Sequence, residues 1–345
     1  MTERDQPGQW LALHIFYAAN PRPMVAECLR PLLRRLTDAE LLSRYFFLNY
    51  WMEGPHVRLR LKPRRASDES VVREIAESAV GEYLARRPAL YAMDSGYRED
   101  LQEMLFRMEY PEGDPEHLLD ADGHPKMQPN NTFEYRPYEP EYGKYGGPAG
   151  VELAEWHFRH STDLVMDLVD RTNLHHRPVA LGIAAQLMVV MTSTFLPARA
   201  GLLEFLDSYH RFAHNFFAAT DYADNVDYEV MYDRMAPQLA RRFEPILDAL
   251  EAGRPGRLPQ FLQLWADHSA DLRSRVVALA EAGDLAFAYP EGSPPETVTD
   301  PDLALPRLLL SYLHMTNNRM YMTLRDEAYL SYLVGRSLRA EPVAP

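Results

Sequence analysis

The chain has 345 residues, 46% of them hydrophobic and 11% aromatic, which is enough for a substantial core in one large domain or two intermediate ones. Its formal net charge of -14, with no long block of Lys or Arg, argues against a general nucleic-acid binder. A single cysteine, Cys28, excludes an intrachain disulfide and any multi-cysteine zinc or iron–sulfur site.

The N-terminus, Met1 to Asp5, is polar and lacks the apolar core of a signal peptide. Trp10 to Ala18, rich in aromatic and branched residues, predicts a strand. Met24 to Leu36 has helical spacing, with Pro31 out of place inside it. Cys28 falls in that apolar pattern without a basic partner, so it is expected to be inert. Tyr45 to Trp51 then runs through a Met52-Glu53-Gly54-Pro55 turn into His56-Val57-Arg58-Leu59-Arg60-Leu61, whose strict alternation is that of a strand with two different faces. Val57, Leu59 and Leu61 point one way, and His56, Arg58 and Arg60 the other. The basic face is either the wet side of an edge strand or a floor of fixed positive charge able to hold a carboxylate, an amide oxygen or an oxyanion.

Asp68 to Arg87 predicts an amphipathic helix with Asp68 as its cap. Residues 110–132 read as a long loop, a length associated with binding or lid segments. Phe133 to Arg136 predicts a short strand. From Pro148 the texture becomes helical, over Pro148–Val169, Pro178–Thr194, Ala198–Ala218, Tyr228–Glu251, Leu258–Ala282 and Leu303–Leu338. The aromatics and histidines Tyr209, His210, Phe212, His214, Phe216 and Phe217 are expected to line core and groove. The longest apolar run, Val179 to Met191, is broken by Gly182 and Gln186 and is too short to span a bilayer. No membrane partner is expected, and the chain reads as cytoplasmic. A strand-rich half over 1–147 followed by a helical half over 148–340 predicts a single α+β domain over 1–345, its mostly antiparallel sheet covered by helices.

Two further stretches carry chemistry. Tyr138 to Gly147 crowds Tyr138, Glu141, Tyr142, Lys144 and Tyr145 into a backbone fixed by prolines and glycines, just before a helix opened by Pro148. On a helix over Arg307 to Arg325, the residues Arg307, Ser311, His314, Asn318, Tyr321 and Arg325 fall at steps of three or four and form one polar stripe. Such a stripe faces water or lines a pocket, and His314 at its centre suits proton transfer near neutral pH. There is no His-Glu-x-x-His, phosphate-binding glycine loop or Gly-x-Ser-x-Gly turn.

Taken together, Tyr-Phe-Phe-Leu-Asn-Tyr-Trp with Gly-Pro-His-Val-Arg-Leu-Arg (45–60), Tyr-Glu-Pro-Glu-Tyr-Gly-Lys-Tyr-Gly-Gly (138–147) and His-Met-Thr-Asn-Asn-Arg (314–319) resemble the C-terminal elimination domain of class I lanthipeptide dehydratases. The same domain type also stands alone in thiopeptide-type biosynthesis. The resemblance implies one of two activities on a ribosomally made precursor peptide. One is removal of glutamate from glutamyl-Ser or glutamyl-Thr, with arginines gripping the carboxylate and a histidine moving the proton. Arg58, Arg60 and His314 fit that pattern, but Lys144 stands where eliminating enzymes usually carry arginine and lacks the bidentate fork. The other is pyridine formation: a formal aza-[4+2] cycloaddition of two dehydroalanines, with loss of water and of the leader peptide. The Lys144 substitution and the Gly-Pro-His-Val-Arg-Leu-Arg form favour the second. Holding two ends of one peptide in register accounts for much of such a reaction, up to about 7–11 kcal/mol, and needs no cofactor or metal.

On that reading Arg58, Arg60 and Lys144 polarise amide oxygens, and His314 shuttles protons with Tyr138, Tyr142 or Tyr321. His56, Tyr50, Glu141, Ser311 and Asn318 are the expected substrate-binding residues. The strand-rich half and the 110–132 loop are expected to recognise the leader. The reading needs the three stretches to meet around one peptide-sized hollow. The resemblance also implies a homodimer, and a non-catalytic peptide-binding subunit stays open as a third class.

Overall fold

The computed structural model describes residues 6–90, 105–106, 118–218, 228–288 and 293–339. The chain divides into two compact units, the first formed by residues 1–139 with 166–171 and the second by 140–165 with 172–345.

The first unit is built on a four-stranded sheet of β1 (Leu11–Phe16), β2 (Leu42–Tyr50), β3 (His56–Pro63) and β4 (Thr132–Arg136), in the order β2-β3-β1-β4. Every neighbouring pair is antiparallel. The register puts the apolar residues of β3 that alternation assigned to one face, Val57, Leu59 and Leu61, opposite Ile15, Leu13 and Leu11 of β1. Leu13, Ile15, Val57, Leu59 and Leu61 are at most 2% exposed on one face. That face is covered by a helical segment from Arg22 to Asp38, ending in α1 (Arg30–Asp38), and by α2 (Glu69–Arg86). Pro31 is accommodated because a π-helical stretch, Val25–Leu29, precedes it. The extra residue per turn restarts the helix at Arg30, so Pro31 occupies a first turn and interrupts no hydrogen bond. Cys28 is buried there, its thiol pushed up to about 12 by burial. Asp68 precedes α2 without capping it, since its carboxylate accepts from Arg65 Nε at 3.2 Å instead. Of the expected 110–132 loop, residues 110–117 lie outside the described residues, and 118–131 form turns leading into β4.

The second unit is helical, with α3 (Gly147–Arg171), α4 (Arg177–Phe195), α5 (Arg199–Ala218), α6 (Tyr228–Glu251), α7 (Gln260–Glu281), α8 (Pro301–Arg319) and α9 (Leu324–Arg339), plus a small hairpin of β5 (Ala286–Phe287) and β6 (Glu296–Thr297). The last turns of α3 group with the first unit. α4 lies close to the expected Pro178–Thr194 helix but outreaches the Val179–Met191 run read as too short to span a bilayer, and inside it Thr192 and Thr194 turn their hydroxyls back onto the carbonyls of Met188 and Val190, both at 2.7 Å. Its 19 residues are long and apolar enough to cross a membrane by length and composition alone. It is a core helix of this unit, however, packed by α6, α7, α8 and α9, with Trp265 donating to the Leu187 carbonyl at 3.0 Å.

The expected helix from Leu303 to Leu338 is also corrected: it is two helices. Tyr321 has φ +60, and Thr323 and Asp326 form a reciprocal cap, with Thr323 N donating to Asp326 Oδ2 at 2.9 Å and Asp326 N to Thr323 Oγ1 at 3.2 Å. The polar stripe therefore ends with α8, and Tyr321 and Arg325 do not continue it.

Candidate functional site

In the first unit the register fixes which side chains share the polar face of the sheet. His56, Arg58 and Arg60 lie opposite Phe16, His14 and Ala12 of β1 and opposite Tyr50, Leu48 and Phe46 of β2. Glu134 and Arg136 extend the face on β4. This is no wet edge, because β3 is a central strand and His14, His56 and Arg60 are 4%, 3% and 6% exposed.

Each polar group has a distinct setting. His56 Nδ1 donates to the Gly54 carbonyl at 2.8 Å, and its Nε2 accepts from Arg58 Nε at 3.1 Å. Burial, helped by Arg58 and Arg136, pushes its pKa down to about 3, so the ring stays neutral, anchored to Gly54 through one nitrogen and holding Arg58 through the other. The Arg58 guanidinium lies 3.4 Å from the centre of the Tyr50 ring, a close cation–π contact. Arg136 pairs with Glu53 and Glu134. Burial works against the Glu53 carboxylate, yet hydrogen bonds from Arg136 and Gln128 hold it below its usual range. Among the described residues Arg60 has no such counter-charge: its Nε and Nη1 are buried without a hydrogen-bond partner. Burial first, and then the neighbouring charge of Arg58, push its pKa down to about 9. The Tyr138 ring stands 5.6 Å from its guanidinium carbon, clustered with Trp10 and Phe46.

In the second unit the Tyr142–Tyr145 helical turn ends at Gly146, which has φ +82. β5 fastens this turn: Ala288 N donates to the Gly143 carbonyl and Ala286 N to the Gly146 carbonyl, both at 3.0 Å. A Cβ on Gly143 would run into the Ala288 carbonyl oxygen, so only glycine fits there. Lys144 Nζ is 3.2 Å from Glu141 Oε1, so these two expected site residues pair with each other. Tyr142 is half exposed. Tyr145 turns inward to pack on Phe158 and on Tyr312 of α8.

On α8, Ser311 is buried while His314 and Asn318 are partly exposed. The decisive partner of His314 is Glu327 on α9, fully buried, with its carboxylate oxygens 3.0 and 3.1 Å from Nδ1. Tyr209 donates its hydroxyl to Glu327 Oε2 at 2.7 Å and accepts from Asn317 Nδ2 at 3.3 Å. A carboxylate accepts from Nδ1–H, which fixes the tautomer and leaves Nε2 of the neutral ring as the bare nitrogen. The arrangement is that of a histidine base steered by a buried acid. Glu327 and Tyr209 escape sequence reasoning as a pair because the expected single helix hides the fold-back, although Thr-Leu-Arg-Asp at 323–326 is a legible cap signal.

Thus Tyr50, His56, Arg58, Arg60 and Tyr138 lie in the first unit, and Glu141, Tyr142, Lys144, Ser311, His314, Asn318 and Tyr321 in the second. Among the described residues no group of three or more His, Cys, Asp or Glu is placed to hold a metal ion.

A family model described as lantibiotic biosynthesis dehydratase, C-terminal, matches residues 10–338. The chain belongs to this lantibiotic dehydratase C-terminal family. Among solved structures, this family member is similar to the pyridine synthase TbtD from thiomuracin biosynthesis, with a TM-score of 0.73 at 21% identity over 95% of this chain and 97% of that one. It is also similar to TsrL, with a TM-score of 0.66 at 17% identity over 95% and 94%. The tRNA-dependent lantibiotic dehydratase MibB from Microbispora sp. 107891 matches with a TM-score of 0.53 at 17% identity over 95% of this chain and 28% of that one. At these identities the likeness establishes the fold of the lantibiotic dehydratase C-terminal family. No curated protein matches the chain.

Proposed function

We propose that the chain is a pyridine synthase acting in the cytoplasm on a leader-bearing, ribosomally made precursor peptide. It joins two dehydroalanines by a formal aza-[4+2] cycloaddition, then expels water and the leader. The observation that carries this reading is the buried Arg60, left without a counter-charge among the described residues beside Arg58 on a sheet face of aromatic rings. Such a cation donates to a neutral oxygen that gains charge, as an amide drawn toward its imidic-acid form does. Arg58, stacked on Tyr50, holds a second oxygen. His314, steered by Glu327, takes and returns the protons of dehydration and leader loss. Family membership and the likeness to TbtD along both chains support the peptide substrate. The pairing of Lys144 with Glu141 counts against a lysine held free to grip a glutamyl carboxylate.

The test is mass spectrometry of two substrates incubated with the purified chain. A bis-dehydroalanine peptide losing its leader and one water supports the reading. A glutamylated peptide losing glutamate replaces it with elimination, and no change in either leaves a peptide-binding subunit.

A further inference from the structure

β1 contributes a residue to the polar sheet face that the proposed chemistry has not used. His14 lies opposite Arg58 on one side and Glu134 on the other, and diagonally from Arg60. Its ring stacks on His56 at 5.2 Å between centres. Both of its ring nitrogens are buried without a hydrogen-bond partner, as are Nε and Nη1 of Arg60. Buried polar atoms in folded proteins are nearly always satisfied, so unmatched atoms on two diagonal neighbours call for an explanation. Elsewhere on this face the polar groups are matched: His56 by Gly54 and Arg58, and Arg136 by Glu53 and Glu134.

The unmatched atoms have a definite chemistry. Arg60 offers only donors. His14 is a neutral ring with one N–H and one bare nitrogen, because burial and the charges of Arg60, Arg58 and Arg136 push its pKa down to about 2. A ligand that satisfies both side chains must therefore carry an acceptor and a hydrogen. A carboxylate offers acceptors only, so it can take up Arg60 and even the imidazole N–H but never the bare nitrogen. An ester has the same defect. A peptide unit has both groups, with the carbonyl and the N–H on opposite edges.

We propose that His14 and Arg60 together bind one backbone amide of the peptide substrate, Arg60 donating to its carbonyl oxygen and the bare nitrogen of His14 accepting its N–H. This rests on the reading that the sheet face holds the peptide core, and it adds the group that tells an amide from a carboxylate. Among the described residues no acid has to be displaced from Arg60. The Tyr138 ring stands 5.6 Å from the guanidinium carbon, so a ligand bound there also meets an aromatic face.

The experiment uses the full chain and a fluorescein-labelled, leader-bearing dehydroalanine peptide, in which each core amide in turn is replaced by an ester. Fluorescence polarisation of the wild type should show about a tenfold loss of affinity at one position, the effect of one lost buried hydrogen bond. His14→Phe should bind the amide and ester forms of that peptide equally. Where His14→Phe does not fold by circular dichroism, His14→Leu, which also lacks the nitrogens, takes its place. Wild-type indifference to every ester, or an amide preference surviving in the folded variant, overturns the proposal. Turnover of the all-amide peptide in the same preparation separates the two claims. Cyclisation without ester discrimination removes only the amide niche, and discrimination without cyclisation removes only the pyridine synthase.

Discussion

His314 Nδ1 lies 3.0 Å from Glu327 Oε2, a contact between a half-open imidazole and a carboxylate with no exposure at all. Tyr209 supplies the other close donor to that carboxylate. Glu327→Gln keeps the volume but removes the charge that fixes the ring's tautomer. The expected outcome is a fall in turnover of at least about tenfold, within the range a positioned base contributes, and a loss of about 1–3 kcal/mol in stability from the disturbed buried pairing. Steady-state kinetics and urea unfolding check the two parts separately, and unchanged turnover would leave the carboxylate a structural role only.

Arg60 sets function against stability. A buried guanidinium with unmatched nitrogens destabilises the fold, so Arg60→Met is expected to raise the unfolding free energy by about 1–3 kcal/mol. Turnover should fall about 10²-fold, as when one oxyanion donor is removed. A variant that is both less stable and equally active would show that Arg60 is held by the fold and unused in the reaction.

Acid should weaken the protein before its carboxylates titrate. His14 and His56 have pKa values of about 2 and 3 in the folded chain against 6.5 when unfolded, both depressed first by burial and then by neighbouring arginines, and His268 is at about 3 chiefly through burial. Below pH 6.5 the unfolded chain therefore binds more protons than the folded one. The contribution is fully present above that value and is lost as pH falls toward 3, by about 1.4 kcal/mol per pH unit for each histidine. Urea unfolding at pH 7, 6 and 5 reads this slope, and His14→Phe should make it shallower by one proton. A flat profile over that range would mean that these rings are protonated in the folded chain.

Thr323→Ala removes one arm of the reciprocal cap opening α9. The expected cost is about 1 kcal/mol, read as a lower Tm by circular dichroism. Fluctuation of α9 should also loosen Glu327 and lower turnover, so a stable variant with normal kinetics would refute the coupling of cap to site.

Much of the sheet was legible. Alternation in His56 to Leu61 assigned each side chain its face, because a period of two leaves no freedom once one face is buried. The sequence did not reveal that β3 is flanked on both sides, since strand order is set by pairings distant in the chain. That order turns the basic face from a solvated edge into a buried floor and brings His14 beside Arg60. Most helices of the second unit were legible from periodicity for the same local reason. His314 was readable as a candidate base, whereas its acid was not. Helical spacing ran straight through Tyr321, and only the Thr323–Asp326 pair marks the stop. Lys144 was readable as a charge, but its pairing with Glu141 depends on a single helical turn held by β5.

The interruption at Tyr321 has a geometric consequence. Residues 314 and 327 are thirteen positions apart, and on an unbroken helix the rise of 1.5 Å per residue would separate them by about 20 Å. The imidazole and its acid meet only because the backbone doubles back within four residues. Lengthening that short connector by one residue would rotate the second arm by roughly 100° and swing the carboxylate away from the ring, while leaving both helices intact.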